Sequence, residues 1–344
     1  MKMKFTVVGT GVIGTTYGWQ LASAGHEVVH WVRNPTMRDT ISSEGIPIRC
    51  LDLRSRRPKE IETVYRPRVT ASLSAQPADV VLVSVNSHQL ASLLPQLRQV
   101  SKHASILFLQ NLRLGEDELI AAHLSPDQYV LGYPFRAGGG RDGQVIDTVI
   151  FGNLLSHTML GHVDGKVTAR LESLGRALNE AGMRPRTCRK TIAYVRTHYV
   201  WAAASIGAFL KAGSYERFLS QAIQREAYIA MREGWEICRA QGIDPRSVSP
   251  TRYYYLPLWI LVPLTRKMYD GEGMRRMFEG HVRHSPEEIR TMYDDVARLG
   301  DRYGLSMPTY RGFAPFVSKY CASLQLSESS LAARSPSTIR PVRE

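Results

Sequence analysis

The sequence predicts an α/β domain followed by an all-helical domain. Three observations carry this reading. A β-branched and aromatic run, Phe5-Thr6-Val7-Val8, leads directly into Gly9-Thr10-Gly11-Val12-Ile13-Gly14. Further short apolar runs alternate with helix-compatible stretches through the first half of the chain. Near Tyr194 the pattern changes to long helices. These patterns divide the chain into an α/β domain over 1–188, a helical domain over 189–326, and a polar tail over 327–344 that is expected to be disordered.

The elements follow in order. Phe5 to Val8 reads as a buried strand and Thr15 to Ala24 as a helix that stops at Gly25. His26 to Val32 reads as a second strand. Strand, glycine turn, helix and strand within about 30 residues is the setting in which G-x-G-x-x-G marks a dinucleotide-binding Rossmann domain. Gly9 permits the tight turn, Gly11 lets the backbone approach a pyrophosphate, and Gly14 lets the helix pack on the sheet. With Thr10, Val12 and Ile13 they bring a helix N-terminus, with its free N–H groups, to the phosphates. An NAD site places Asp or Glu at the end of the second strand, and Trp31-Val32-Arg33-Asn34 has none there. The guanidinium of Arg33 suits a 2′-phosphate, so NADP(H) is the expected cofactor; the alternative for Arg33 is a solvated loop cation.

Arg49 to Arg68 is strongly charged and reads as a surface excursion. Ala78 to Val85 is an apolar run typical of a buried parallel strand. Just beyond it, Asn86 and Gln89 fall at the carboxyl edge of the sheet, where ligands bind. Gln89 to Val100 reads as a helix, and the next strand, Ser105 to Leu109, ends in Gln110-Asn111 at the same edge. Tyr129 to Gly132 and Val145 to Gly152 read as strands joined by the loop Gly138 to Gly143, and Lys166 to Ala181 as a helix closed by Gly182. Tyr194 to Leu210 reads as a central, buried helix, and Gln221 to Gln241 as an amphipathic one ended by Gly242. Tyr253 to Val262 is apolar and aromatic but too short to span a bilayer, which suits a packed interface or a pocket wall. Ser285-Pro286 opens a helix over Glu287 to Tyr303.

The 344 residues, 44% hydrophobic and 22% charged, describe a soluble globular protein. Cys50, Cys188, Cys238 and Cys321 are scattered, without metal-ligand spacing, so no structural metal is expected and a reducing, cytoplasmic location is. The first strand begins at once, leaving no room for a signal peptide. The formal net charge of +13 is dispersed and carries no nucleic-acid-binding signature. Anionic small molecules are the expected partners, with neither nucleic acid nor membrane.

With these features the chain resembles the ketopantoate reductase (2-dehydropantoate 2-reductase) family over about residues 3 to 315. The matching pieces are GTGVIG, Gly25-His26-Glu27-Val28, Val32-Arg33, Val83-Ser84-Val85 with Gln89, Gln110-Asn111, Gly140-Arg141-Asp142-Gly143, Glu288-Ile289 and Gly304 to Pro308. The resemblance implies a Rossmann domain, a helical domain, and reduction of a 2-keto acid by NADPH in the cleft between them. It implies that Gly9, Gly11 and Gly14 hold the pyrophosphate and Arg33 the 2′-phosphate. Asn111 would sit beside the nicotinamide ribose, and Glu288 would be the acidic residue near the substrate. Asn111 is otherwise a local turn former, and Glu288 a first-turn helix acid.

The family's catalytic lysine and the two asparagines after it are missing. Ungapped comparison puts Tyr199 at the lysine position, or His198 if the register slips by one, with Ala203 and Gly207 near the asparagines. Asn86 replaces a second lysine. His198 and Tyr199 are therefore the candidate proton donors, or else packed residues of a buried helix. The expected function is an NADPH-dependent reductase of a carbonyl or imine other than ketopantoate, with an anionic or partly apolar substrate and homodimerisation through the helical domain. The alternatives are an opine-type or 3-hydroxyacid dehydrogenase, and a non-catalytic NADP(H)-binding protein.

Overall fold

The computed structural model describes residues 2–75, 77–284 and 286–323, so the polar tail and Ser285 lie outside the described residues. The first half opens with β1 (Lys4–Val8), α1 (Val12–Ser23), β2 (Glu27–Trp31), α2 (Pro35–Glu44), β3 (Ile46–Asp52), β4 (Lys59–Tyr65), β5 (Arg68–Thr70) and β6 (Val80–Val83). It continues with α3 (Ser87–Val100), β7 (Ser105–Leu109), α4 (Glu116–Ala121), β8 (Tyr129–Pro134), β9 (Ala137–Asp142) and β10 (Val145–Ile150). After β11 (Thr158–Gly161), α5 (Ala169–Glu180) and β12 (Pro185–Thr187) the chain is helical. The helices are α6 (Thr191–Ala212), α7 (Tyr215–Phe218), α8 (Gln221–Ala240), α9 (Leu258–Tyr269), α10 (Glu272–His284), α11 (Pro286–Arg302) and α12 (Pro308–Arg311).

The main sheet has the order β12-β11-β8-β7-β6-β1-β2-β5. From β8 to β5 every pairing is parallel, and only β11 turns antiparallel, against β8. The four residues of β6 and the five of β7 are all buried. That burial on both faces is why their sequences are unbroken apolar runs rather than alternating ones. The strand order reverses between β1 and β6, which makes their carboxyl ends a ligand crevice.

Two local expectations need correction. The segment Arg49 to Arg68 is not merely an excursion, because it holds most of β3 and all of β4, in a second sheet of order β4-β3-β10-β9. Ile46, Ile48, Cys50 and Leu51 of β3 are buried, so the charges ride on a strand whose other face is core. Gly138 to Gly143 is likewise not a connecting loop, since β9 runs through it and pairs antiparallel with β10. Glycine is needed on β9 because helix α10 lies directly on it. A Cβ on Gly140 would stand 2.4 Å from the carbonyl oxygen of Gly280. The small sheet thus docks the helical domain onto the α/β domain, aided by Arg276, whose Nη2 donates to Glu60 at 2.7 Å.

Helix α6 is the axis of the second half. Ala202, Ala203, Ala204, Ile206 and Ala208 are buried on it. Their small side chains admit α8 and α11 to close range.

Candidate active site

A cleft of about 210 Å³ lies where the carboxyl ends of β1, β6 and β7 face α6, α10 and α11. Gly11, Val12 and Ile13 form its floor, with Ser84, Asn86, Gln110 and Asn111 at the strand ends. Across from them stand Trp201, Ala202, Ser205 and Ile206 of α6, His281 of α10 and Glu288 of α11.

The glycine loop is shaped by contact on one side and left open on the other. Gly9 has φ +112°, and a Cβ there would lie 2.6 Å from the Ser84 carbonyl oxygen. On Gly14 a Cβ would lie 2.3 Å from the Gly9 carbonyl oxygen, while on Gly11 it would meet nothing within 4 Å. No side chain caps α1 at Gly11, so the first-turn N–H groups are presented to the cleft. Deeper in, both amide atoms of Gln110 and the Ser205 hydroxyl are buried without a hydrogen-bond partner. Buried polar atoms left unpaired are costly and call for a ligand to complete them. A dinucleotide fits this set: an open glycine turn, an uncapped helix end, and orphaned polar atoms beyond. Among the described residues no cluster of His, Cys, Asp and Glu is placed to hold a metal ion.

The remaining predicted cofactor residues separate. Arg33 is exposed past the end of β2, its guanidinium 5.6 Å from the Trp31 ring centroid. Asn86 lines the cleft as the N-cap residue of α3 without bonding its own helix. Thr10 points elsewhere: its hydroxyl donates to the Met37 sulfur at 3.4 Å, and its carbonyl accepts from Arg141 Nη2 at 2.7 Å. Gln89 lies one turn into α3 and is absent from the cleft wall.

Asn111 and Glu288, 177 residues apart in sequence, meet in the cleft, where Asn111 Nδ2 donates to Glu288 Oε1 at 3.3 Å. Residues around this contact clamp the two domains together. Arg113 binds Asp295 of α11 through Nε at 2.6 Å and Nη2 at 2.7 Å. Ser87 Oγ donates to the Asn111 carbonyl at 3.1 Å and to Glu116 Oε2 at 3.2 Å. Burial pushes the Glu116 carboxyl up to about 7, although bonds from the Arg113 N–H and Ser87 oppose the rise.

Neither predicted proton donor faces this cleft. Tyr199 is 3% exposed, and its hydroxyl donates to Asp295 Oδ2 at 3.0 Å, inside the interdomain clamp. Its proton is tied to a structural carboxylate rather than offered to a ligand. His198 sits behind the wall, its ring centroid 3.6 Å from that of Tyr133 and 5.1 Å from that of Trp201. Burial pushes its imidazole down to about 3, so at neutral pH it holds no proton to give as an acid. The face of α6 toward the cleft carries Ala202 and Ile206, four and eight residues after His198. Tyr199 and Ala203 face the helical core instead, and Gly207 packs against Phe313.

Three polar wall residues escaped the sequence reading: Tyr133, Ser205 and His281. Ser205 shares a face with Trp201 at helical spacing, a signal hidden because the whole helix is apolar. His281 lies on α10, an element the sequence reading left unassigned.

The comparisons agree with this architecture. Residues 5–154 match the family model described as ketopantoate reductase PanE/ApbA. A "2-dehydropantoate 2-reductase" of Aquifex aeolicus is 24% identical over 321 residues, covering 90% of this chain and 94% of that protein. One from Archaeoglobus fulgidus is 20% identical over 310 residues, covering 89% of this chain and 93% of its own. Among solved structures, a ternary complex of D-mandelate dehydrogenase with NADH and anilino(oxo)acetate superposes with TM-score 0.71 at 17% identity, covering 94% of this chain and 100% of that one. The 2-dehydropantoate 2-reductase of Geobacter metallireducens gives 0.68 at 20%, covering 92% and 99%. Over residues 5–154 the chain matches the ketopantoate reductase family model, and across nearly all of its length its fold is that of the solved 2-dehydropantoate 2-reductase.

Proposed function

We propose that the protein is an NADP(H)-dependent oxidoreductase that reduces the carbonyl of a 2-oxo acid-like compound, or an imine, and that ketopantoate is not its substrate. The observation that carries this reading is the Asn111–Glu288 hydrogen bond, which sets two polar groups from different domains in one cleft with the open glycine turn. Gly9, Gly11 and Gly14 with Val12 and Ile13 would hold the pyrophosphate, Asn86 would lie along the dinucleotide, and Arg33 would meet the 2′-phosphate. Bound there, the reduced nicotinamide supplies a hydride to the carbonyl carbon.

The chain must then stabilise and protonate the oxygen that receives the electron pair. Glu288 holds the Asn111 amide in place, so the wall of the cleft is ordered before substrate enters. His281 is our candidate for the group that passes a proton to that oxygen, since its imidazole stands on the cleft wall across from the open glycine turn. Ser205 and Tyr133 would add hydrogen bonds. Ala202 and Ile206 present apolar side chains at the wall of α6, which favours a more apolar substrate than ketopantoate.

NADPH consumption against a panel of 2-oxo acids and cyclic imines tests the reading. Turnover is expected for at least one of them, falling at least tenfold in Glu288→Gln and in His281→Ala while NADPH affinity stays within about threefold. Tight NADPH binding without turnover on any of them would favour the non-catalytic cofactor-binding protein instead.

A further inference from the structure

A second cavity of about 580 Å³ lies on the far side of Trp201. Phe135 and Trp201 line both it and the cleft, so they are the partition between the two. The walls are aromatic and aliphatic: Tyr194 from α6, Tyr254, and Leu261, Met268 and Tyr269 from α9. Its charged residues, Arg186 and Arg252, are both exposed. Inside, His198 Nε2 and His157 Nδ1 are enclosed and have no hydrogen-bond partner. Trp201 is held in place by a bond from its Nε1 to the Tyr254 hydroxyl at 3.1 Å.

A cavity of this size is within the range of small-molecule sites, roughly 300 to 1,000 Å³, and its chemistry is that of such sites. Apolar walls carry a few orphaned polar atoms that an occupant can satisfy. We propose that this chamber receives the body of the substrate. On the reading of the cleft as a reductase site, on which this rests, the substrate is a carbonyl compound carrying a bulky aryl or long alkyl group. Its carbonyl lies in the cleft and its apolar body passes Trp201 into the chamber, within reach of His198 and His157. His198, neutral and packed between Tyr133 and Trp201, is then a binding group of the chamber rather than an acid.

The test uses the full chain with NADPH and a size series: pyruvate, phenylpyruvate and 4-phenyl-2-oxobutanoate. Leu264, exposed on α9 at the chamber wall, is changed to Trp to fill the space without cutting the core. The expected result is a kcat/KM at least tenfold higher for 4-phenyl-2-oxobutanoate than for pyruvate, with that ratio falling at least fivefold in Leu264→Trp. Binding of the unreactive 4-phenylbutanoate, followed by calorimetry, supplies a readout independent of turnover. Weaker binding in Leu264→Trp with no turnover of any substrate supports the chamber and overturns the reductase reading. Turnover without size preference, unchanged in ratio by Leu264→Trp, overturns the chamber and leaves the reductase. A change in oligomeric state in Leu264→Trp with unaltered 4-phenylbutanoate binding also overturns it, because the cavity then belongs to an interface.

Discussion

At the scale of single residues, position in the sequence and orientation in space part company at His198 and Tyr199. One residue apart on a helix means roughly 100° around its axis, so one faces Asp295 and the other Trp201. Sequence comparison alone had no means of choosing between these registers, because a helix that is apolar all round gives no face signal. Asn111 stood out as a residue just past a buried strand and Glu288 through the family resemblance, and the fold brings both to the cleft. Arg33 was singled out by its place at the end of the second strand, and its role is testable. NADPH should bind at least tenfold more tightly than NADH, about 1.4 kcal/mol, and Arg33→Ala should remove most of the difference. Equal affinities for the unmodified protein in calorimetry would refute the assignment. Titration adds a second residue-scale prediction. His30 and His198 are each pushed down to about 3 by burial, from 6.5. Between pH 4.5 and 6.5 the unfolded chain therefore binds more protons at these histidines, and stability rises with pH. Glu116, raised from 4.5 to about 7, acts the other way: the folded chain holds its proton across this window and loses that advantage as pH rises. Urea unfolding should accordingly show stability increasing from pH 4.5 to 6.5, and increasing more steeply in Glu116→Gln. A shallower rise in that variant would contradict the protonated state assigned to Glu116.

Elements were legible where a periodic pattern met a stop signal. The strands β1, β6 and β7 and the helices α5, α6, α8 and α11 fall within a few residues of their predicted ends. Strands β3, β4 and β9 did not show themselves, for two different reasons. Arginines and glutamates obscured the alternation of β3 and β4, whose outer face is solvated. The three consecutive glycines of β9 have low strand propensity; Gly138 and Gly140 are present for contact and Gly139, at φ +141°, for conformation. Helix α10 accounts for Gly138 and Gly140, and a contact between segments some 140 residues apart leaves no local trace. The consequence is testable at Gly280, where a Cβ would come within 2.7 Å of the Gly140 backbone nitrogen. Gly280→Val should force α10 off the small sheet. We expect a loss of at least about 2 kcal/mol, as for other overpacked sites, together with weakened catalysis, because α10 also carries His281. A stable, fully active Gly280→Val variant would show that α10 docks with slack that these contacts do not allow.

On the scale of the whole molecule, the apolar run Tyr253 to Val262 has two faces, although the sequence presented it as one. Tyr254, Leu261 and Val262 are buried in the helical core, whereas Trp259 is 74% exposed and Tyr253, Ile260 and Leu264 are also open to solvent. Leu154 and Leu155, from the connection between β10 and β11, add exposed side chains of 76% and 67%, and they line the same cavity as Tyr253 and Leu264. No described helix is long and apolar enough to cross a membrane, so this surface does not continue a spanning segment. Large apolar side chains gathered on one side of a protein are seldom left in water, and a second copy of the chain is the partner we propose for the outer face of α9. Burying Trp259 and Ile260 from each copy offsets several kcal/mol of association cost. Sedimentation at tens of micromolar should therefore show a dimer, and Trp259→Arg should shift it to monomer, because a two-fold contact would place two unpaired charges in the same interface. Trp259 does not line the substrate chamber, so the variant should keep its folded circular dichroism spectrum and its preference among substrates. A wild-type chain that sediments as a monomer at this concentration would leave the exposed face of α9 without the proposed partner and refute the assignment.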